Sequence, residues 1–294
     1  MVTLDPSILQ SVEKPARYTG SEWNAVCKNP DEVRCTFALA LPDVYEVGMS
    51  NLGLAILYEI LNGRADVAAE RVYAPWTDME AIMRERQLPL YSLETKTEIR
   101  RFSFLGFSLQ YEMIYSNVLN MLDLAGIPLR AAERTEVDPF VVGGGPCVYN
   151  VEPIADFFDF FVVGEGEEVL LEVVDVYEAW QAEGMPDGRQ GFLRRLLAVD
   201  GIYVPSFYTP RYAADGSFRA LVPRAEEARP VIYKRVVKDM DKVPSVAHPI
   251  VPYMNVVHNR VMLELFRGCS RGCRFCQAGI CYRPARERTE EHLK

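Results

Sequence analysis

Four of the chain's seven cysteines, Cys269, Cys273, Cys276 and Cys281, fall within 13 residues. An odd cysteine count and no visible export signal argue against a disulfide framework and for metal ligation. The first three stand at C-x3-C-x2-C, a spacing that suits a compact loop presenting three thiolates to one face of an iron–sulfur cubane. Cysteine thiolates hold such clusters, usually four to a [4Fe–4S] centre, so a three-cysteine loop leaves one iron open to another ligand. Gly268 and Gly272 let the backbone turn tightly. Arg267, Arg271 and Arg274 would favour thiolates and offset the charge of the cluster, and Phe275 would shield one edge. A structural zinc site is the alternative, but such sites pair C-x2–4-C with a second ligand pair downstream. Only Cys281 and His292 are available for that role, and Cys281, after Gly279 and Ile280, reads as an apolar filler. Cys27, Cys35 and Cys147 are scattered and read as small buried hydrophobes.

The chain that carries this loop has 294 residues, 49% hydrophobic and 25% charged. That composition supports buried cores, and the length suggests about two domains. A net charge of −9 argues against a protein that coats nucleic acid or a membrane surface. No apolar run approaches the roughly 20 residues that span a bilayer, and the first 12 residues lack the basic flank and apolar core of a secretory signal. A cytoplasmic location is expected. The charge is uneven: residues 260–294 hold eight basic and four acidic side chains, leaving −13 on the preceding 259. Either these arginines are simply solvated, or the segment surrounds something anionic.

The elements that must position the loop alternate between strand and helix. Residues 1–34 show little periodicity and are expected to be an extended arm laid over the body. Apolar runs predict strands at Cys35–Leu41, 71–73, Phe104–Ser108, 140–142 and 160–163. Helical spacing predicts Leu52–Gly63, Thr77–Arg86, 111–125 and a long helix from about 166 to 180. Strand–loop–helix repeated in this way requires parallel strands with crossover helices. Residues 35–200 therefore read as a doubly wound α/β domain whose ligand crevice lies at the carboxyl ends of its strands. Gly143-Gly-Gly-Pro146 and Gly164-Glu-Gly-Glu167 sit at two of those ends, and Ser108 at a third. Glu165, Glu167 and Glu168 would repel a phosphate, so a helix-capping role is expected for that turn. Ser108 could meet a ligand or cap the next helix. Residues 201–236 read as a β-hairpin extension turning at Ala214-Asp215-Gly216, residues 237–260 as a proline-rich linker, and 261–265 as a buried strand delivering its end to the cysteines.

The cysteine loop resembles that of the radical S-adenosylmethionine (SAM) superfamily, whose motif C-x3-C-x-aromatic-C follows the first strand of a (β/α) barrel. The match is Cys269, Cys273, Phe275 and Cys276. An α/β domain ahead of such a barrel resembles the cobalamin-binding-domain radical SAM proteins. Within that group Val12-Glu-Lys-Pro-Ala-Arg-Tyr-Thr-Gly20, Leu41-Pro-Asp-Val-Tyr-Glu-Val-Gly48, Gly143-Gly-Gly-Pro-Cys147 and Gly164-Glu-Gly-Glu167 are similar to one uncharacterised bacterial subfamily. The resemblance implies a [4Fe–4S] cluster on Cys269, Cys273 and Cys276, and SAM as cosubstrate, cleaved reductively to a 5′-deoxyadenosyl radical. It also implies a flavodoxin- or ferredoxin-like electron donor, with cobalamin as a further cofactor and methyl transfer as its outcome. The cobalamin signature D-x-H-x-x-G falls on Asp43, Tyr45 and Gly48, with tyrosine in place of the cobalt-ligating histidine. Gly143, Gly144 and Gly145 could admit a flat ring or a nucleotide tail. The resemblance further implies that residues 261–294 are only the start of the barrel, so that the chain stops early and this stretch is expected to be mobile and easily cleaved. An iron–sulfur or zinc-stabilised binding module without SAM chemistry is the alternative function.

Overall fold

A computed structural model of the chain describes residues 1–29 and 32–294. Its centre is a six-stranded, mostly parallel sheet in the order β2-β1-β3-β4-β5-β6. The strands are β1 (Cys35–Leu41), β2 (Val67–Tyr73), β3 (Phe104–Ser108), β4 (Phe140–Gly144), β5 (Phe160–Val162) and β6 (Ile202–Tyr203). Only β6 runs antiparallel, against β5. β1 is apolar along its length because strands flank both its edges and both its faces are covered.

The chain steps outward from β1 to β2 and then returns past β1 to β3. Right-handed crossovers therefore place the helices Leu52–Gly63 and Thr77–Arg86 on opposite faces. The first packs against the helix Gly166–Ala182, which in turn meets Gly188–Leu196. The second is tied to the helix Tyr115–Leu124 by Arg84, which donates to Asp123 (2.7 Å) and Asn120 (2.5 Å). In the core, Phe104 stacks on Phe37 with centroids 4.6 Å apart, and Phe140 lies 4.6 Å from Phe192. The strand order reverses between β1 and β3, and a crevice opens outside the carboxyl ends at such a point.

Several expectations give way. The N-terminal segment is not merely extended; it forms the short helices Pro6–Ser11 and Ala16–Thr19. It is keyed to the body by buried ion pairs, Arg17–Glu46 (2.8 Å) and Glu22–Arg71 (2.8 Å). Residues 30 and 31 of the expected arm lie outside the described residues. β2 starts four residues earlier than expected, because the charged Glu70 is buried with a partner, Thr95, just as Arg71 is with Glu22 and Glu94. The first arm of the expected 201–236 hairpin is interrupted at Pro205, where a 3-10 turn leads into β7 (Tyr208–Tyr212). β7 pairs with β8 (Phe218–Pro223), and Asp215 closes the turn by accepting from Ser217.

The largest correction concerns residues 261–265. They have no ladder partner among the described residues, and Val261, Leu263 and Leu265 are 76%, 62% and 52% exposed. Apolar side chains alone do not make a strand, since its amides and carbonyls need a neighbouring edge. Pairing is confined to the end of this stretch, where the Leu265 carbonyl accepts from the Arg288 amide at 2.9 Å and β9 (Phe266–Arg267) pairs with the returning β10 (Arg286–Glu287).

Candidate functional site

A cavity of about 510 Å3 lies over the carboxyl ends of β1, β3, β4 and β5. Asn51 and Leu52 reach it from the turn after β1, Ser108 from the end of β3, Gly145 from the turn after β4, and Glu165 and Glu167 from the turn after β5. Its opposite wall is the cysteine segment, through Phe266–Arg267, Gly268 and residues 281–283. The sheet's crevice and the two ends of the cysteine loop, read separately in the sequence, thus border one chamber.

Carboxylates hold that wall in place. Glu165 accepts from Arg286 (2.6 and 2.7 Å) and from the Val237 amide (2.5 Å). Glu167 pairs with Arg267 at 2.5 Å, and Glu264 pairs with both Arg267 (2.6 Å) and Arg288 (3.0 Å). The capping role expected for Glu165 is not observed: it occupies the N-cap position of its helix without a side-chain cap bond. Nor is Arg267 available to offset thiolates, because Glu264, Glu167 and Glu165 surround it. Burial pushes the Glu165 carboxyl up, but Arg286, the Val237 amide and Arg267 outweigh it and hold it below its ordinary value. Glu264 follows the same balance, with Arg267 and Arg288 prevailing over burial. Gly164 makes this turn possible: at φ +107° it forms a bridge with Arg235, and a Cβ there would stand 2.2 Å from the Arg235 carbonyl oxygen.

The loop itself is irregular. Cys269 and Cys276 are half-buried, Cys273 is exposed, and none is in a disulfide. Gly268 holds φ +90°, where a Cβ would meet the backbone of residues 282–285 at 2.7 Å, so only glycine lets the loop start against its own return. Phe275 is 93% exposed and shields nothing. Among the described residues no three cysteine, histidine or acidic side chains are gathered as a metal would hold them. The donor set nevertheless fits an iron–sulfur cluster: three free, reachable thiols lie on one loop that no ladder or helix constrains. Metal–thiolate bonds themselves supply the energy that closes such loops. The remaining candidates for zinc are taken up elsewhere. Cys281 is buried against the 146–150 turn, and its carbonyl accepts from Tyr149 and Lys234 at 2.9 Å each. His292 Nε2 is engaged by Ser245 (3.0 Å) and Arg288 (2.9 Å).

Of the residues expected in the crevice, Ser108, Gly143, Gly144 and Gly145 line the strand ends. Ser108 does not cap the next helix, which starts only at Tyr115; its hydroxyl accepts from Gln110 at 2.6 Å. Gly143 is required by packing, since a Cβ would strike the Phe161 ring at 2.4 Å. Gly145 is required by its approach to the Leu109 carbonyl, whereas Gly144 faces open space.

Asp43, Tyr45 and Gly48 do not reach this cavity. Asp43 accepts from the Val44 amide at 2.7 Å, and a Cβ on Gly48 would stand 2.1 Å from the Tyr73 ring. Tyr45 is buried, with its ring edge-on to Tyr73 and its hydroxyl donated to Glu22 at 2.8 Å. Burial, then the Glu22 carboxylate, pushes this phenol well up, so it stays a neutral donor. The loop therefore fits no cobalt ligand, and no histidine is among the described residues lining the cavity. Tyr45→Phe is expected to lower stability by about 1.5–3 kcal/mol, the range for a hydrogen bond to a charged group. Urea denaturation read by tryptophan fluorescence measures this, and an unchanged midpoint would show that the Glu22 bond contributes nothing.

The uneven charge noted in the sequence has a local counterpart here. The excess of arginine in residues 260–294 answers, in part, the acidic turn after β5. Among the described residues no helix is long and apolar enough to cross a membrane. Comparison with known sequences places residues 53–205, just over half of the chain, in the family described as "Radical SAM proteins, N-terminal". An uncharacterized protein of Methanocaldococcus jannaschii is 27% identical over 216 residues, which are 71% of this chain and 38% of that protein's length.

Proposed function

The chain belongs to the radical SAM proteins, and on that premise we propose that Cys269, Cys273 and Cys276 hold a [4Fe–4S] cluster facing the chamber outside the sheet. Such a cluster would leave one iron free for the amino and carboxylate groups of SAM and would supply the electron that splits its sulfur–carbon bond, giving methionine and a 5′-deoxyadenosyl radical. The radical would take a hydrogen atom from a substrate in the chamber. The chain's own residues orient the loop: Glu165, Glu167 and Glu264 fix the arginines on either side of it. The exposed face around Cys273 and Phe275, with Arg271 and Arg274 beside them, suits the approach of an acidic flavodoxin- or ferredoxin-like donor. The mostly parallel sheet with helices on both faces supports the reading of this region as a doubly wound, cobalamin-binding-like module. No histidine is among the described residues that line the chamber, and the reading is built on the cluster and SAM alone.

The observation that supports this reading is that the residues on either side of the three-thiol loop, Arg267 and Gly268 before it and Cys281 to Arg283 after it, wall the cavity at the strand ends. The test is anaerobic reconstitution of the full-length protein, reduction with dithionite, addition of SAM, and chromatographic measurement of 5′-deoxyadenosine and methionine. Equal amounts of both products are expected, and none from Cys273→Ala. A reduced cluster that leaves SAM intact would instead establish an electron-transfer or binding module. Zinc in place of iron would establish a metal-stabilised adaptor.

A further inference from the structure

We propose that the chamber binds a small molecule bearing a doubly negative group, a phosphate or paired carboxylates, held by Lys234 and Arg283. Its volume of about 510 Å3 falls in the range of sites for small ligands, roughly 300–1,000 Å3. The charges around it do not cancel. The lining carboxylates Glu165, Glu167 and Glu264 are matched by Arg267, Arg286 and Arg288, and the lining Arg235 is matched by Glu168 and Glu172.

Two lining cations remain. Lys234 donates only to main-chain carbonyls, those of Cys281 (2.9 Å) and Arg283, which fix the ammonium but leave its charge and its third N–H unanswered. Arg283 has no carboxylate partner among the described residues. Its guanidinium stands beside the cysteine loop, 3.7 Å from where a Cβ on Gly272 would lie. Two like charges facing one partly enclosed space, with Lys234 half-buried and Arg283 reaching in from the exposed rim, repel each other. An anion of charge −2 relieves this repulsion, and a guanidinium can grip phosphate or carboxylate with two hydrogen bonds at once.

This inference deepens the proposed function and rests on it in one respect: a ligand held by Arg283 beside the cysteine loop is the molecule presented to the radical. Binding itself requires neither iron nor SAM, so it is tested on metal-free protein. Inorganic phosphate and succinate are titrated calorimetrically at physiological ionic strength. Saturable binding of at least one probe is expected, weakened tenfold or more in Arg283→Gln and in Lys234→Gln, restored in Arg283→Lys, and unchanged in Arg219→Gln on the distant hairpin. Which probe binds tells phosphate from paired carboxylates. Arg283→Gln removes no intramolecular side-chain bond, so loss of binding in it is not loss of fold, and circular dichroism verifies this. The proposal is overturned if neither probe saturates, or if Arg219→Gln weakens binding as much as Arg283→Gln does. Either result leaves the SAM-cleavage reading standing, just as failed SAM cleavage would leave a measured anion site in place.

Discussion

Anaerobically reconstituted protein is expected to hold about four irons and four sulfides per chain, and Ala at Cys269, Cys273 or Cys276 is expected to bring both near zero. The effect should be close to complete because, among the described residues, no further Cys, His or acidic side chain gathers with the loop as a reserve ligand. Cys281 is buried against the 146–150 turn with its backbone tied to Tyr149 and Lys234. Cys147 is buried as well, and burial, then Glu112, pushes its thiol up, away from the thiolate that binds metal. Cys281→Ala and Cys147→Ala should therefore keep iron at the unmutated level. Iron and acid-labile sulfide assays with the visible charge-transfer spectrum decide the matter. A cluster that survives in Cys273→Ala but is lost in Cys281→Ala would overturn the ligand set.

How much of this site was legible depended on the distance over which each residue is satisfied. β1 could be read from Cys35–Leu41 because an apolar run covered on both faces carries its own signal. The helix Leu52–Gly63 could be read because Asn51, its cap, is adjacent and accepts from the Leu54 amide. The expected β2 begins only at Arg71 because Glu70 looks like a break, and the partner that makes it tolerable, Thr95, lies 25 positions on. The helix Gly188–Leu196 was missed for the same reason: Arg189 faces inward to Asp159 at 2.9 Å, where the local pattern suggests a solvated side chain. The cysteine spacing is local and therefore visible. What it packs against is not. Glu165 meets Arg286 across 121 positions, and the rule that acidic residues favour helix N-termini offered a nearer and sufficient explanation. Tyr45 shows the converse failure. A sequence position equivalent to a ligand gave no information about the direction of its side chain, which Glu22 and Tyr73 settle.

The same long-range pairs set the second expected result. Glu165→Gln combined with Glu167→Gln should release the cysteine segment from the sheet while leaving the sheet folded. Glu165→Gln leaves the largely buried Arg286 facing a neutral amide, whereas Arg267, on losing Glu167, keeps Glu264, so about one buried pair is lost. Removing one partner of a buried pair costs roughly 3 kcal/mol at the low end of its range, and each 1.4 kcal/mol is about tenfold in an equilibrium. Proteolysis between residues 261 and 294 should thus speed up by about 100-fold in the variant, with the 35–200 region as resistant as before. The contrast matters because the segment was expected to be mobile in every form of the protein, whereas its ion pairs now predict protection until they are broken.

Acidification gives an independent check on the same pairs. Glu165 and Glu264 are both held below their ordinary value of 4.5 in the folded protein. Such groups contribute stability that is fully present above that value and is lost as pH falls through their still lower folded values. Docking should therefore be constant from pH 7 to 5 and weaken below about 4.5, while the double variant should lack protection across the whole range. Hydrogen exchange of the 266–288 amides at pH 7 and pH 4, with and without the substitutions, measures this directly. Equal protection of those amides in the variant and the unmutated protein at pH 7 would show that the carboxylates of the turn after β5 do not hold the cysteine loop over the chamber.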